Sequence, residues 1–141
     1  MLTNTRTILV EWGDCDPAGI VYYPRYFEWF DGCTAALFAR AGFAKFEMLR
    51  QYDIVGIPMV DTRARFLIPS RFGEEVVVET AIVEFRRSSF DVRHRLLNNG
   101  ELAAEAFETR VWTGRDPEDP GRLRGVPIPE EVIRRLSCGQ G

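Results

Sequence analysis

Gly13-Asp14-Cys15-Asp16-Pro17-Ala18-Gly19 is followed, after Ile20-Val21-Tyr22-Tyr23, by Pro24-Arg25-Tyr26-Phe27-Glu28-Trp29-Phe30-Asp31. The first segment reads as a tight loop, because Gly and Asp favour irregular backbone. The second opens a helix over residues 24–41, ended by Gly42. Pro24 suits a first helical position, where its missing N–H is not needed. At 100° per residue, Phe27, Phe30, Thr34, Leu37, Phe38 and Ala41 share one face. Tyr26 and Cys33 widen it, and Arg25, Glu28 and Ala39 lie opposite. So wide an apolar stripe predicts a helix wrapped by sheet rather than one resting on a surface.

Working outward, residues 7–12 alternate, with Ile8, Val10 and Trp12 on one face, and read as a strand. Residues 44–52 suggest a short second helix. Strands are expected over 60–69, 75–87, 90–97 and 102–113, and Val76, Val78, Thr80 and Ile82 share one face of the second of these. Asn98-Asn99-Gly100 is a hairpin turn signal. Residues 115–124 form a Pro/Gly/charge loop, and a short last helix starts near Pro129. A strand, a long helix and then a meander of about four long strands imply an α+β fold with an antiparallel sheet. One long helix cannot cover both faces of such a sheet, so an uncovered face or edge predicts a homo-oligomer.

The 141 residues fit one domain, 1–141. Hydrophobic content of 45% and charge of 28% are those of an ordinary soluble globule. A net charge of −3 gives no general pull toward nucleic acid or membrane, so an anionic ligand needs a local basic cluster. Cys15, Cys33 and Cys138 are odd in number and lack metal-ligand spacing, which points to free thiols in a reducing compartment. Met1 to Arg6 is polar and carries no signal-peptide pattern, and no apolar run approaches the roughly 18 residues of a membrane helix. A cytoplasmic protein is expected.

No nucleophile elbow, phosphate-binding glycine loop or dinucleotide fingerprint is present, and no metal or cofactor is expected. The single histidine, His94, shares a strand face with Phe90, Val92 and Leu96 and reads as a hydrogen-bonded core residue. Catalysis is therefore left to a carboxylate. Asp16 lies just upstream of the long helix, whose N-terminus offers unpaired N–H groups and partial positive charge. Such a terminus can stabilise an oxyanion while the carboxylate attacks the carbonyl or activates water. Asp14 and Asp16 can equally be turn-makers.

Arg86-Arg87-Ser88-Ser89 suits phosphate, since guanidinium forks match phosphate oxygens; it can also be a plain exposed hairpin end. Arg63, Arg65 and Arg71 are weaker basic candidates. Asp31 lies at the margin of the apolar stripe, where a carboxylate needs a partner, a task or a path to solvent. Tyr22, Tyr23, Tyr26, Phe27, Trp29 and Phe30 form an aromatic cluster that is core or the lining of a slot for a flat ring.

The stretch Glu11-Trp12-Gly13-Asp14-Cys15-Asp16-Pro17-Ala18-Gly19-Ile20-Val21 resembles the signature of bacterial 4-hydroxybenzoyl-CoA thioesterases of the Pseudomonas type. The similarity continues through Pro24, Tyr26, Trp29 and Asp31. It resumes at Ile54-Val55-Gly56, Pro58, Val60, Arg86-Arg87, Ser89-Phe90 and Arg93-His94. The resemblance implies a hotdog fold, an antiparallel sheet wrapped round one long central helix, paired into dimers and often tetramers. It implies an acyl-CoA substrate, Asp16 as nucleophile or general base, and the Tyr23 N–H polarising the thioester carbonyl. Tyr22, Asp31 and Ile57 fall at the acyl pocket, and Arg86, Arg87, Ser88 and Ser89 at the nucleotide end of coenzyme A. Ile57 stands where the family has threonine, which favours a less polar ring. Ser88 stands where a lysine is frequent, which removes one cation. A broader short- or medium-chain acyl-CoA thioesterase and a non-catalytic acyl-CoA sensor are the competing functions. A hotdog dehydratase is disfavoured because His94 reads as structural.

Overall fold

The computed structural model describes residues 1–138, so the end of the expected 1–141 domain, residues 139–141, lies outside the described residues. Strand β1 (Thr3–Leu9) leads through a 3₁₀ turn (Trp12–Asp14) to helix α1 (Pro24–Arg40) and helix α2 (Lys45–Gln51). Four strands follow: β2 (Met59–Phe66), β3 (Glu75–Phe85), β4 (Ser89–Asn98) and β5 (Glu101–Val111). A small hairpin, β6 (Thr113–Arg115) with β7 (Leu123–Gly125), and helix α3 (Glu130–Ser137) complete the chain.

The main sheet has the order β1-β3-β4-β5-β2 and is antiparallel throughout. The expected four-strand meander is corrected: only β3, β4 and β5 are consecutive neighbours, and β2 lies at the far edge beside β5. Its connection to β3 is tied to the Asp16 loop by an Ile20–Arg71 bridge and the Val21 N–H bond to Ser70 O at 2.9 Å. The hairpin signal holds. Asn99 and Gly100 have φ of 53° and 80°, the paired left-handed geometry that matches strand twist in a two-residue turn.

Two other boundaries differ from expectation. The first strand ends at Leu9, and the 3₁₀ turn rotates Trp12 off the face shared by Ile8 and Val10. Trp12 is 72% exposed and meets Phe72 edge-on, with ring centroids 5.6 Å apart. The last long strand stops at Val111, because Trp112 turns into the core and its N–H bonds Ser88 O at 2.7 Å. The expected loop over 115–124 is therefore mostly the turn of the β6–β7 hairpin.

The helix stripe packs as its spacing requires. Tyr26, Phe30, Cys33, Thr34, Leu37 and Phe38 are buried under the sheet. Opposite them lie Val76, Val78, Thr80 and Ile82 of β3 and Phe90, Val92, His94 and Leu96 of β4, all buried. This core is two apolar bodies. One gathers Tyr26, Phe30, Val78 and Leu96; the other gathers Leu37, Phe38, Ile82, Val92 and Trp112. Between them runs a polar layer of Thr34, Thr80, His94 and Glu108.

The turn makes a local forecast. Alanine at position 100 forces a Cβ into positive φ, and Gly100→Ala lowers unfolding stability by about 1 kcal/mol. Urea denaturation measures this, and an unchanged midpoint would contradict the turn geometry.

Candidate functional site

Asp16 sits in a loop closed by its own hydrogen bonds. Cys15 bridges Val21, the Asp16 N–H donates to Ile20 O at 2.9 Å, and the Gly19 N–H donates to Asp16 O at 2.9 Å. The carboxylate Oδ1 accepts the Ala18 N–H at 2.8 Å. The turn-making role is thus present, and it uses one carboxylate oxygen. Oδ2 takes no hydrogen bond among the described residues. Asp14 differs. Its Oδ2 accepts the Glu11 N–H at 2.9 Å and its backbone O accepts the Tyr22 N–H at 2.8 Å, so it fixes the 3₁₀ turn before α1.

Tyr23 is the cap residue of α1. Around it the N–H groups are spoken for: Tyr22 donates to Asp14 O, Arg25 to Tyr22 O at 2.9 Å and Tyr26 to Tyr23 O at 3.1 Å. Pro24 has none to offer. Only the Tyr23 N–H lacks an acceptor among the described residues, and it sits at the positive end of a 17-residue helix. Asp16 and Tyr23 line one groove of about 450 Å³, walled by Val21, Tyr26, Phe66 and Leu67. Tyr22 stacks on Tyr23 with centroids 5.6 Å apart, but it faces a different hollow beside Cys15 and Arg25.

Asp31 and Ile57 meet in a second cleft, between α1 and α2, with Thr34, Phe38, Phe43 and Arg110 in its walls. Arg110 was not anticipated from the sequence. Its Nη2 donates to Asp31 Oδ1 at 2.7 Å and to Glu108 Oε2 at 3.2 Å, its Nε to Glu108 Oε1 at 3.2 Å, and its Nη1 to Ile57 O at 3.0 Å. Behind it, Glu108 Oε1 lies 3.0 Å from His94 Nε2 and accepts the Thr34 hydroxyl, while His94 Nδ1 lies 2.8 Å from the Thr80 hydroxyl. His94 stacks on Phe30. It is the hydrogen-bonded core histidine that its strand face suggested. A sequence signal existed for the rest: Ala104, Ala106, Glu108 and Arg110 alternate on one face of β5, so two charges had to enter the core together.

Burial pushes the Glu108 carboxyl up, but its bonds to His94 and Arg110 outweigh that and carry it below the ordinary carboxylate value. Burial likewise works against the charge on Arg110, and Glu108 and Asp31 restore it.

The basic tip does not present a free pair of forks. Arg86 grips Asp91 with both terminal nitrogens, at 2.6 and 3.1 Å, and its Nε donates to Ser89 Oγ at 2.8 Å. That grip, foremost the hydrogen bond, holds the Asp91 carboxyl below its usual range. Ser88 is half-buried against Gly125, and its carbonyl accepts the Trp112 N–H. Arg87 is exposed, and its guanidinium makes no ion pair among the described residues.

Within one chain these features are far apart. The Asp16 loop follows β1, whose Leu9 pairs with Glu75 at the start of β3; Arg86 and Arg87 follow Phe85 at its other end. Eleven residues of strand span roughly 30 Å. The cleft of Asp31, Ile57 and Arg110 lies on the Arg87 side, since Arg110 pairs with Phe90. Among the described residues no group of three or more His, Cys, Asp or Glu is placed to hold a metal, and no helix is long and apolar enough to cross a membrane.

Residues 10–136 match the family model of the thioesterase-like superfamily. The chain is 36% identical over 134 residues to 4-hydroxybenzoyl-CoA thioesterase of Pseudomonas sp. strain CBS-3, covering 91% of this chain and 93% of that one. A crystal structure of a mutant 4-hydroxybenzoyl-CoA thioesterase complexed with 4-hydroxybenzoyl-CoA superposes with a TM-score of 0.87 at 33% identity, over 96% of this chain and 99% of that one. A gentisyl-coenzyme A thioesterase superposes with a TM-score of 0.80 at 30% identity, over 96% and 100%.

The polar layer carries a stability forecast. Glu108→Ala strands a buried guanidinium and lowers stability at neutral pH by roughly 3–5 kcal/mol. In the parent protein the Glu108 contribution is complete above its unfolded value of 4.5 and fades as pH falls through the lower folded value. Chemical denaturation from pH 7 to 3 reads both, and an Ala variant with an unaltered acid limb would contradict the assignment.

Proposed function

Because the chain belongs to the thioesterase-like superfamily, we propose that it hydrolyses an aromatic acyl-CoA thioester to the free acid and coenzyme A, with Asp16 as the reacting carboxylate. The observation that carries this is the pairing, in one groove, of a carboxylate oxygen with no hydrogen bond and a helix-terminal N–H with no acceptor. The Tyr23 N–H takes the thioester oxygen and stabilises the negative charge that grows there. Asp16 either attacks the carbonyl carbon, giving an acyl-enzyme anhydride that water cleaves, or removes a proton from attacking water. In either route the C–S bond breaks and the thiolate of coenzyme A departs.

The two relatives with named aromatic substrates, 4-hydroxybenzoyl-CoA and gentisyl-coenzyme A, support an aromatic acyl group here. Phe38, Phe43 and Met48 at the α1–α2 cleft offer apolar contacts to a ring, with Asp31 for a polar substituent and Ile57 favouring a less polar ring than threonine would. Tyr22 flanks the helix start, stacked on Tyr23. Arg87 meets the phosphates, while Arg86 and Ser89 brace the tip that carries it and Ser88 seats that tip against the β6–β7 hairpin. Three free cysteines fit a cytoplasmic enzyme.

We infer a homo-oligomer built on β2, an edge strand with Val60 63% exposed and no strand on its outer side among the described residues. Antiparallel pairing of two β2 strands sets Phe66 and Leu67 of one groove beside the Ile57 and Met59 region of the partner. The roughly 30 Å gap within a chain then becomes a short path between chains. This supports a site made by two protomers, one giving Asp16 and Tyr23 and the other giving the cleft.

Asp16→Asn reduces turnover of the preferred aromatic acyl-CoA by on the order of 10²–10⁴-fold with little change in melting temperature. A free-thiol assay measures it, and near-normal turnover would remove Asp16 from the mechanism. Ala35 also lines the α1–α2 cleft, and mixing Asp16→Asn with Ala35→Trp, which blocks that cleft, restores activity that neither has alone, because a mixed pair retains one intact site. No recovery after subunit exchange would argue for a site within one chain.

A further inference from the structure

We propose that Arg110 is a positioning residue that sets acyl selectivity by holding Asp31, and that the buried His94–Glu108 pair is the anchor behind it. The inference rests on the aromatic reading of the α1–α2 cleft. Arg110 is almost fully buried and donates to both oxygens of Glu108. Its remaining bonds both go to cleft residues: Asp31 Oδ1 at 2.7 Å and Ile57 O at 3.0 Å.

Stability alone gives little reason for this arrangement. A buried ion pair is frequently no better for stability than well-packed apolar side chains. Here the same charges tie three separate elements to one cleft: α1 through Asp31, the approach to β2 through Ile57, and β5 itself. The guanidinium is planar and rigid, so it fixes where the Asp31 carboxylate sits. Asp31 is more than half exposed and would otherwise sample several rotamers. One carboxylate oxygen is held by Arg110, and Oδ2 has no partner among the described residues. The held carboxylate favours a ring whose substituent donates a hydrogen bond and disfavours one that is bare or anionic there.

The experiment compares kcat/KM for 4-hydroxybenzoyl-CoA and benzoyl-CoA in the parent protein, Asp31→Asn, Arg110→Lys and the double variant. Arg110→Lys keeps a cation beside Glu108 but lacks the fork, and Asp31→Asn lies at the surface, so folding does not limit the test. The ratio of the two substrates falls on the order of tenfold in each single variant, the scale of one charge-assisted hydrogen bond. In the double variant it falls no further, because Arg110 acts through Asp31. Parallel loss of both activities at a constant ratio, or additive losses in the double variant, would overturn the positioning role. A parent protein that hydrolyses neither thioester would overturn the aromatic reading, and this inference with it.

Discussion

A single polar layer across the core is what the rest of the molecule is arranged around. Thr34 comes from α1, Thr80 from β3, His94 from β4 and Glu108 from β5, and they meet through short contacts between two apolar bodies. A buried polar group tolerates few alternatives, because a donor or acceptor left alone is expensive. Apolar side chains would accept a sheet shifted along α1. The layer does not, since Thr80 must stand opposite His94 and both must stand under Thr34. It therefore acts as a register pin for helix against sheet.

Fixing α1 fixes the chemistry at its start. The helix terminus and the Asp16 loop form one rigid corner, braced by Asp14, Gly19 and the Ser70 carbonyl. Within that corner one amide N–H and one carboxylate oxygen are left uncommitted. The family assignment makes this an acyl-CoA thioesterase, and in the proposed mechanism the corner supplies the two things that reaction asks for: a place for developing negative charge and a group to complete the attack. The cleft is fixed from the other side of the same layer, through Arg110, so both regions refer back to one set of hydrogen bonds.

Much of this was legible in the chain. The stripe from Tyr26 to Phe38 announced a wrapped helix, and the alternation from Val76 to Ile82 and from Phe90 to Leu96 announced its sheet, because side-chain period reports which face is buried. Asn99-Gly100 announced its turn. What escaped were facts of pairing. The place of β2 depends on its pairing with β5, distant in sequence. Trp12 looked buried by alternation until a 3₁₀ turn broke the period. Arg86 looked like a free phosphate fork because its partner, Asp91, lies across the hairpin and counts as an ordinary surface acid in the sequence. Glu108 and Arg110 went unread although their alternation with Ala104 and Ala106 put them on the core face; what the alternation does not give is their partners, which come from α1 and β4.

The order of strands in the sheet also governs how the protein comes into being. The β3-β4-β5 meander joins neighbours in sequence and closes short loops, so it can form early and quickly. The edges β1 and β2 must each find partners across long stretches of chain, which is slow. Those edges lead directly into the Asp16 loop and out of the α1–α2 cleft. On that ordering, the Asp16 loop and the α1–α2 cleft take their final places only when the last long-range pairings are made, and a half-finished chain has a sheet before it has either.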